Sequence, residues 1–142
     1  MSKNTASAIW KGDLKSGNGK VKLTSMPFEA NYTFSSRFET GKGTNPEELV
    51  AAAHAACFSM ALSNIIAGKG YKPEQVSTVA TATLSNPGTG FLITEMELTT
   101  EAKVQGIDEK TFLTLANEAK ANCPISKTLS SVNIKLMAKL VS

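Results

Sequence analysis

One segment constrains this chain more than any other. It is LVAAAHAACFSMALSNIIA at residues 49–67, whose alanines and larger apolar side chains leave almost no polar face. A helix that is small and apolar nearly all round needs cover on most of its sides. Its length approaches the roughly 20 residues that cross a bilayer. His54, Ser59, Ser63 and Asn64 interrupt it and no aromatic belt flanks it, so it reads as a buried helix of a folded protein and not as a membrane span. Asn45 is its expected N-cap, Pro46 its first helical residue, and Glu48 stands three residues after the cap, the pattern of a capping box. Gly68 and Gly70 stop the helix, with Lys69 near the negative end of its dipole.

The flanking sequence alternates with period two. Leu92, Thr94, Met96, Leu98, Thr100, Ala102 and Val104 share one face of a long strand, and Glu95, Glu97, Glu101 and Lys103 lie on the other. Residues 75–84 are rich in Val and Thr, and Asn86-Pro87-Gly88 is turn chemistry, so the two stretches predict a hairpin. Val132, Ile134, Leu136, Ala138 and Leu140 mark a last strand. Residues 8–10, 20–24 and 32–36 are weaker strand candidates. A second helix is expected from Asp108 to about Asn122, with Asp108 as cap and Phe112, Leu115, Ala116 and Ala119 as its apolar stripe. Pro124 either ends that helix or opens a short further turn through Ile125, Lys127 and Leu129. Strands, helix, two strands, helix, strand, without repeat or linker, predicts a single α+β domain over residues 1–142. The sheet of one such chain covers only part of the apolar helix. Two copies packing their central helices together would cover the rest, so a homodimer is expected.

Composition narrows the function classes. Hydrophobic residues make up 42% and charged residues 19%, which excludes a disordered chain and a bundle of membrane helices. Fifteen basic against 12 acidic residues leave a scattered net charge of +3, with no basic cluster interleaved with aromatics, so no nucleic-acid partner is expected. The opening MSKNTASAIW lacks the basic flank and apolar run of an export signal, which points to the cytoplasm. The 2 cysteines, Cys57 and Cys123, are too few for a disulfide scaffold and lack zinc-knuckle spacing. They are expected to be thiols.

Each cysteine carries two readings. Cys57, amid Ala53, Ala56, Met60 and Ala61, is either a small core hydrophobe or a reactive thiol. It lies too far into the helix for the N-terminal dipole to act, so a reactive Cys57 needs another positive charge. Cys123 is either a structural helix-end residue or a thiol whose sulfur faces the amides of the turn after Pro124. His54, three residues before Cys57, suggests a Cys–His nucleophile, but no third orienting group is evident. It reads better as a core or interface residue with one satisfied nitrogen. One histidine and two distant cysteines are poor zinc ligands, and the glycines at residues 41–45 do not match a phosphate loop. No metal or cofactor is expected. Arg37 can hold a thiolate ionised at any working pH, and a carboxylate such as Glu47 could fix its guanidinium plane by two hydrogen bonds. Glu48 is expected simply to complement the helix dipole.

The run GTNPEELVAAAHAACFSMAL at residues 43–62, with CPIS at residues 123–126, closely resembles the osmotically inducible and organic-hydroperoxide-resistance (OsmC/Ohr) family. WKGDLKSGNGK near the start, SRFE around Arg37, GFLIT from Gly90 and GID with TF between Gly106 and Phe112 extend the resemblance over nearly the whole chain. HAACFSMAL is similar to the OsmC branch, the Ohr branch tending to carry a tyrosine there. The resemblance implies an intertwined homodimer, two central helices wrapped by antiparallel sheets, with active sites at the interface. It implies a thiol peroxidase acting on organic hydroperoxides and less well on hydrogen peroxide. Cys57 matches the peroxidatic and Cys123 the resolving cysteine, and Arg37 and Glu47 match the catalytic Arg and Glu. The resemblance further implies that the disulfide this chemistry leaves is reopened by an external dithiol on a lipoyl-bearing protein. The rival expectation is a dimeric binding module enclosing an apolar ligand. Glu47 and Cys57 are ten residues apart, about 15 Å along one helix. Either the chain near Pro46 folds back, or Glu47 serves the partner's site.

Overall fold

The longer period-two stretches become strands and the two Asx-capped stretches become helices in a computed structural model that describes residues 1–27 and 29–142. The chain divides into two units, Met1–Leu49 and Val50–Ser142.

In the first unit, β1 (Ala6–Lys11), β2 (Asn18–Leu23) and β3 (Glu29–Tyr32) form an antiparallel sheet in that order. Gly19 of β2 is buried beside Trp10 and Tyr32, whose ring centroids stand 5.3 Å apart. A Cβ there would come within 2.6 Å of the tyrosine ring and 2.7 Å of the indole, so no larger residue fits without moving an aromatic. The strand expected at residues 32–36 is corrected, because β3 ends at Tyr32 and α1 (Phe34–Phe38) follows. Thr33 caps that helix. Its Oγ1 accepts from the Ser36 N–H at 3.1 Å, while Ser36 Oγ accepts from the Thr33 N–H at 2.8 Å. The alternation of Tyr, Thr, Phe and Ser mimics a strand, but this reciprocal cap offers the backbone a local partner that a strand would lack.

The apolar helix α2 (Pro46–Gly68) has the expected start, with Asn45 Oδ1 accepting from the Glu48 N–H at 2.8 Å. The Glu48 carboxylate takes the Thr44 hydroxyl at 2.7 Å instead of closing the capping box. α2 is the one described helix long and apolar enough to cross a membrane, and only 22% of its most apolar stretch is buried within this chain. Residues 46–49 belong to the first unit and the rest to the second.

In the second unit, β4 (Lys72–Ser85) and β5 (Leu92–Gln105) form the expected antiparallel hairpin, whose turn is held by Asn86 Oδ1 accepting from the Gly88 and Gly90 amides. Asp108 caps α3 (Glu109–Asn122), and Pro124 opens the short α4 (Pro124–Thr128). The last strand, β6 (Asn133–Val141), pairs parallel with β5. This sheet is therefore mixed and not purely antiparallel. The crossover through α3 and α4 returns the chain to the end where β5 began, which only a parallel pairing can accept. Phe58, Leu62 and Ile66 of α2 pack in one core with Leu98 and Ala102 of β5 and with Phe112, Leu115, Ala116 and Ala119 of α3. The opposite face of α2 is bare within the chain. Ala52, Ala53, Ala56, Met60, Asn64 and Ala67 recur at helical spacing and are exposed, Met60 by 75%.

Candidate active site

The four residues singled out from the sequence form two pairs. Arg37 lies on the last turn of α1 and Glu47 on the first turn of α2. The guanidinium grips the carboxylate twice, Nε donating to Oε2 at 3.1 Å and Nη2 to Oε1 at 2.7 Å. Two parallel charge-assisted bonds fix the guanidinium plane as well as its position. The Arg37 side chain keeps 32% of its surface exposed while that of Glu47 keeps 10%, so the carboxylate is the buried anchor and the cation faces outward.

The anchor is prepared by the chain between the helices. Ser36 Oγ donates to the Thr44 carbonyl at 2.7 Å, Asn45 Nδ2 donates to the Ser36 carbonyl at 3.0 Å, and the Thr44 N–H reaches the Asn31 carbonyl at 2.9 Å. Gly43 turns this segment at φ +120°, and a Cβ on it would sit 2.6 Å from the Asn31 oxygen. Both demands exclude other residues. Beside Arg37 lies a cavity of about 200 Å³ whose wall includes Trp10, Leu14, Tyr32, Phe34 and Phe38. It offers an apolar lining next to a cation.

The thiols meet in the second unit. Cys57, half-buried in the middle of α2, has its Sγ 2.8 Å from that of the buried Cys123, at the junction of α3 and α4. Both are free thiols. Burial pushes the Cys57 thiol up from its ordinary value, the adjoining Cys123 thiol pushes it further, and the Ile125 N–H pulls it back in part. None of these influences is a cation. The amides after Pro124 were expected to face the Cys123 sulfur, whereas the Ile125 amide serves the sulfur of Cys57.

His54 is fully buried, and burial lowers its basicity. Its Nε2 lies 2.8 Å from Ser126 Oγ, while Nδ1 has no partner among the described residues. The expectation of a core histidine with one satisfied nitrogen holds, and a serine hydroxyl, not Cys57, is the group that satisfies it. Sequence reasoning missed Ser126 and the Ile125 amide. The matching offset, Ser126 three residues after Cys123 and His54 three before Cys57, gains meaning only once the two cysteines are known to meet.

Residues 39–137 match the sequence model of the OsmC-like protein family, well over half of the chain. The chain belongs to the OsmC family. Among curated OsmC relatives, Peroxiredoxin OsmC of Escherichia coli (strain K12) is 46% identical over 125 residues, 87% of each chain. The organic hydroperoxide resistance protein of Xanthomonas axonopodis pv. citri is 33% identical over 99 residues, 68% of this chain and 67% of that one. The OsmC fold is shared with the crystal structure of an OsmC-like protein from Mycoplasma pneumoniae at TM-score 0.76 and 19% identity, over 99% of both chains. It is also shared with an organic hydroperoxide resistance protein from Elizabethkingia anophelis at TM-score 0.71 and 24% identity, over 99% of this chain and 98% of that one.

Proposed function

We propose that this OsmC-family protein is a cysteine-based peroxidase that reduces organic hydroperoxides, and hydrogen peroxide less well, to alcohols and water. The observation that carries this reading is the approach of two free thiols, Cys57 and Cys123, to 2.8 Å. The Cys57 thiolate attacks the distal peroxide oxygen. The O–O bond breaks, the alkoxide takes a proton and leaves as alcohol, and Cys57 becomes a sulfenic acid. The Cys123 thiol then attacks that sulfur, water leaves, and a Cys57–Cys123 disulfide remains. An external dithiol reopens it by exchange, losing two hydrogens as it is oxidised. The resemblance to the family favours a lipoyl-type dithiol.

The thiol needs a cation, because burial opposes its ionisation. In this proposal the Arg37–Glu47 pair supplies it. Arg37 holds the sulfur as thiolate and receives the charge that develops on the leaving alkoxide. Glu47 is a positioning residue that keeps the guanidinium plane fixed. The apolar cavity beside Arg37 takes the hydrocarbon part of the peroxide, which favours organic substrates. α2 is helical from Pro46 onward. In keeping with the family resemblance, we favour a homodimer with active sites at the interface, where Arg37 of the partner subunit serves Cys57. The bare stripe from Ala52 through Met60 to Ala67 gives such a dimer its central packing surface.

The test is a mass measurement after one equivalent of cumene hydroperoxide. The peroxidase predicts a product lighter by two hydrogens, with Cys57 and Cys123 linked in one peptide pair. An unchanged mass would return the chain to the reading of a binding module with inert cysteines. A monomeric mass in light scattering at micromolar concentration would remove the dimer from the proposal.

A further inference from the structure

Two side-chain contacts bridge α2 and the α3–α4 junction, and their spacing matches. Cys57 Sγ meets Cys123 Sγ at 2.8 Å, and His54 Nε2 meets Ser126 Oγ at 2.8 Å. His54 precedes Cys57 by three residues on α2, and Ser126 follows Cys123 by three residues into α4. Each step is about 4.5 Å along a helix. The contacts are thus neighbouring rungs between two segments that run in opposite directions. One rung is made and broken covalently in the proposed cycle. The other stays chemically constant.

We propose that the His54–Ser126 hydrogen bond is a positioning clamp that holds the α3–α4 junction against α2 and so sets how readily Cys123 joins Cys57 in a disulfide. The inference rests on Cys57 and Cys123 being a redox pair. α4 is a helix of five residues with no side-chain capping bond at Cys123, too short to hold its own shape without an anchor. His54 is 0% and Ser126 4% exposed, so their bond is shielded from competing solvent. Ser126 is the single described partner of the imidazole, so ring and hydroxyl orient each other.

Loss of the clamp leaves Cys123 distributed over positions farther from Cys57. Ring closure then has to recover the order that the clamp supplied. Losing one buried hydrogen bond corresponds to about a tenfold fall in the population of the close arrangement. Resolution of the sulfenic acid slows by the same factor, which leaves Cys57 open to a second peroxide and a sulfinic acid.

The decisive experiment needs no peroxide. The full chain is equilibrated in glutathione buffers of stepped ratio, where two protein thiols and one glutathione disulfide give the Cys57–Cys123 disulfide and two glutathione thiols. The oxidised fraction is read by alkylation and mass spectrometry. Ser126→Ala should lower the equilibrium constant about tenfold, moving the midpoint by about 30 mV to a less negative potential. The double variant His54→Leu with Ser126→Ala removes both polar groups, so it leaves no buried orphan and keeps the fold. It should show the same displacement with a thermal midpoint near that of the parent. His54→Gln, which keeps a hydrogen-bonding nitrogen at the ε position, should return to within about threefold of the parent constant. Equal midpoints for the parent and both alanine variants overturn the clamp. So does a His54→Gln midpoint as displaced as that of the double variant, or a parent chain that forms no Cys57–Cys123 disulfide in any buffer. A clamp-dependent midpoint in a chain that consumes no cumene hydroperoxide upholds the clamp and rejects the peroxidase.

Discussion

The arginine half and the thiol half of the proposed site are built in opposite ways. Arg37 is complete where it stands, gripped twice by a carboxylate that is itself held in a hydrogen-bonded frame. Cys57 is incomplete. Burial and a second thiol oppose its ionisation, and one amide is its only described relief. A preorganised cation does not have to reorganise when charge develops on a leaving oxygen. A thiol kept neutral until a cation arrives is protected from oxidation elsewhere, since reactivity follows the thiolate. In the proposed mechanism, reactivity therefore requires both halves, the fixed cation and the buried thiol.

Removing the proposed nucleophile breaks the comparison most severely. Cys57→Ser should reduce peroxide turnover by at least about 1,000-fold, measured with cumene hydroperoxide and a dithiol. Residual activity near the parent level would show that the thiols are structural. Arg37→Ala comes next, slowing the first oxidation by about 100-fold to 1,000-fold in stopped flow. Its rate should climb with pH above neutrality, because a thiol raised by burial then ionises only through alkali. A pH-independent rate equal to that of the parent would take Arg37 out of the chemistry.

Smaller effects sharpen the contrast. Glu47→Gln keeps the side chain's shape but not its charge, and should cost about tenfold in the same step while leaving the thiol pair's disulfide potential unchanged. A shifted potential would mean that Glu47 acts on the thiols through the fold. The smallest effect concerns His54, whose burial lowers its pKa from an ordinary value near 6.5. Below that value the unfolded chain takes up a proton that the folded chain refuses, so stability falls as pH drops from about 6.5 toward the folded value. His54→Gln should flatten this decline in denaturant titrations between about pH 6.5 and pH 5. An unchanged slope would assign the decline to other groups.

Much of this molecule was legible in its sequence, for identifiable reasons. Asn45 and Asp108 cap α2 and α3 through side chains only three residues from the amides they serve. Met96, Leu98, Thr100 and Ala102 are buried because they share one face of a period-two strand. The strand misread at residues 32–36 failed where a cap between Thr33 and Ser36 competed with alternation. Arg37 and Glu47 were found as residue types, but their frame of Ser36, Thr44, Asn45 and Asn31 rests on backbone carbonyls that carry no sequence signature. Ser126 was hidden for a different reason. Its partner, His54, lies 72 residues away, a separation that no local pattern reports.

The crossover that delivers Cys123 to Cys57 has a further consequence. The two thiols are 66 residues apart in the chain. A bond between them closes a loop that long in the denatured ensemble, worth about 4 kcal/mol to the folded state in the chain-entropy account. The spent form of the protein is therefore expected to outlast the reduced form against heat and proteases. Each oxidising event would mark the molecule with a temporary hardening, erased when a dithiol restores it, so that melting temperature alone would record how much of the population awaits reduction.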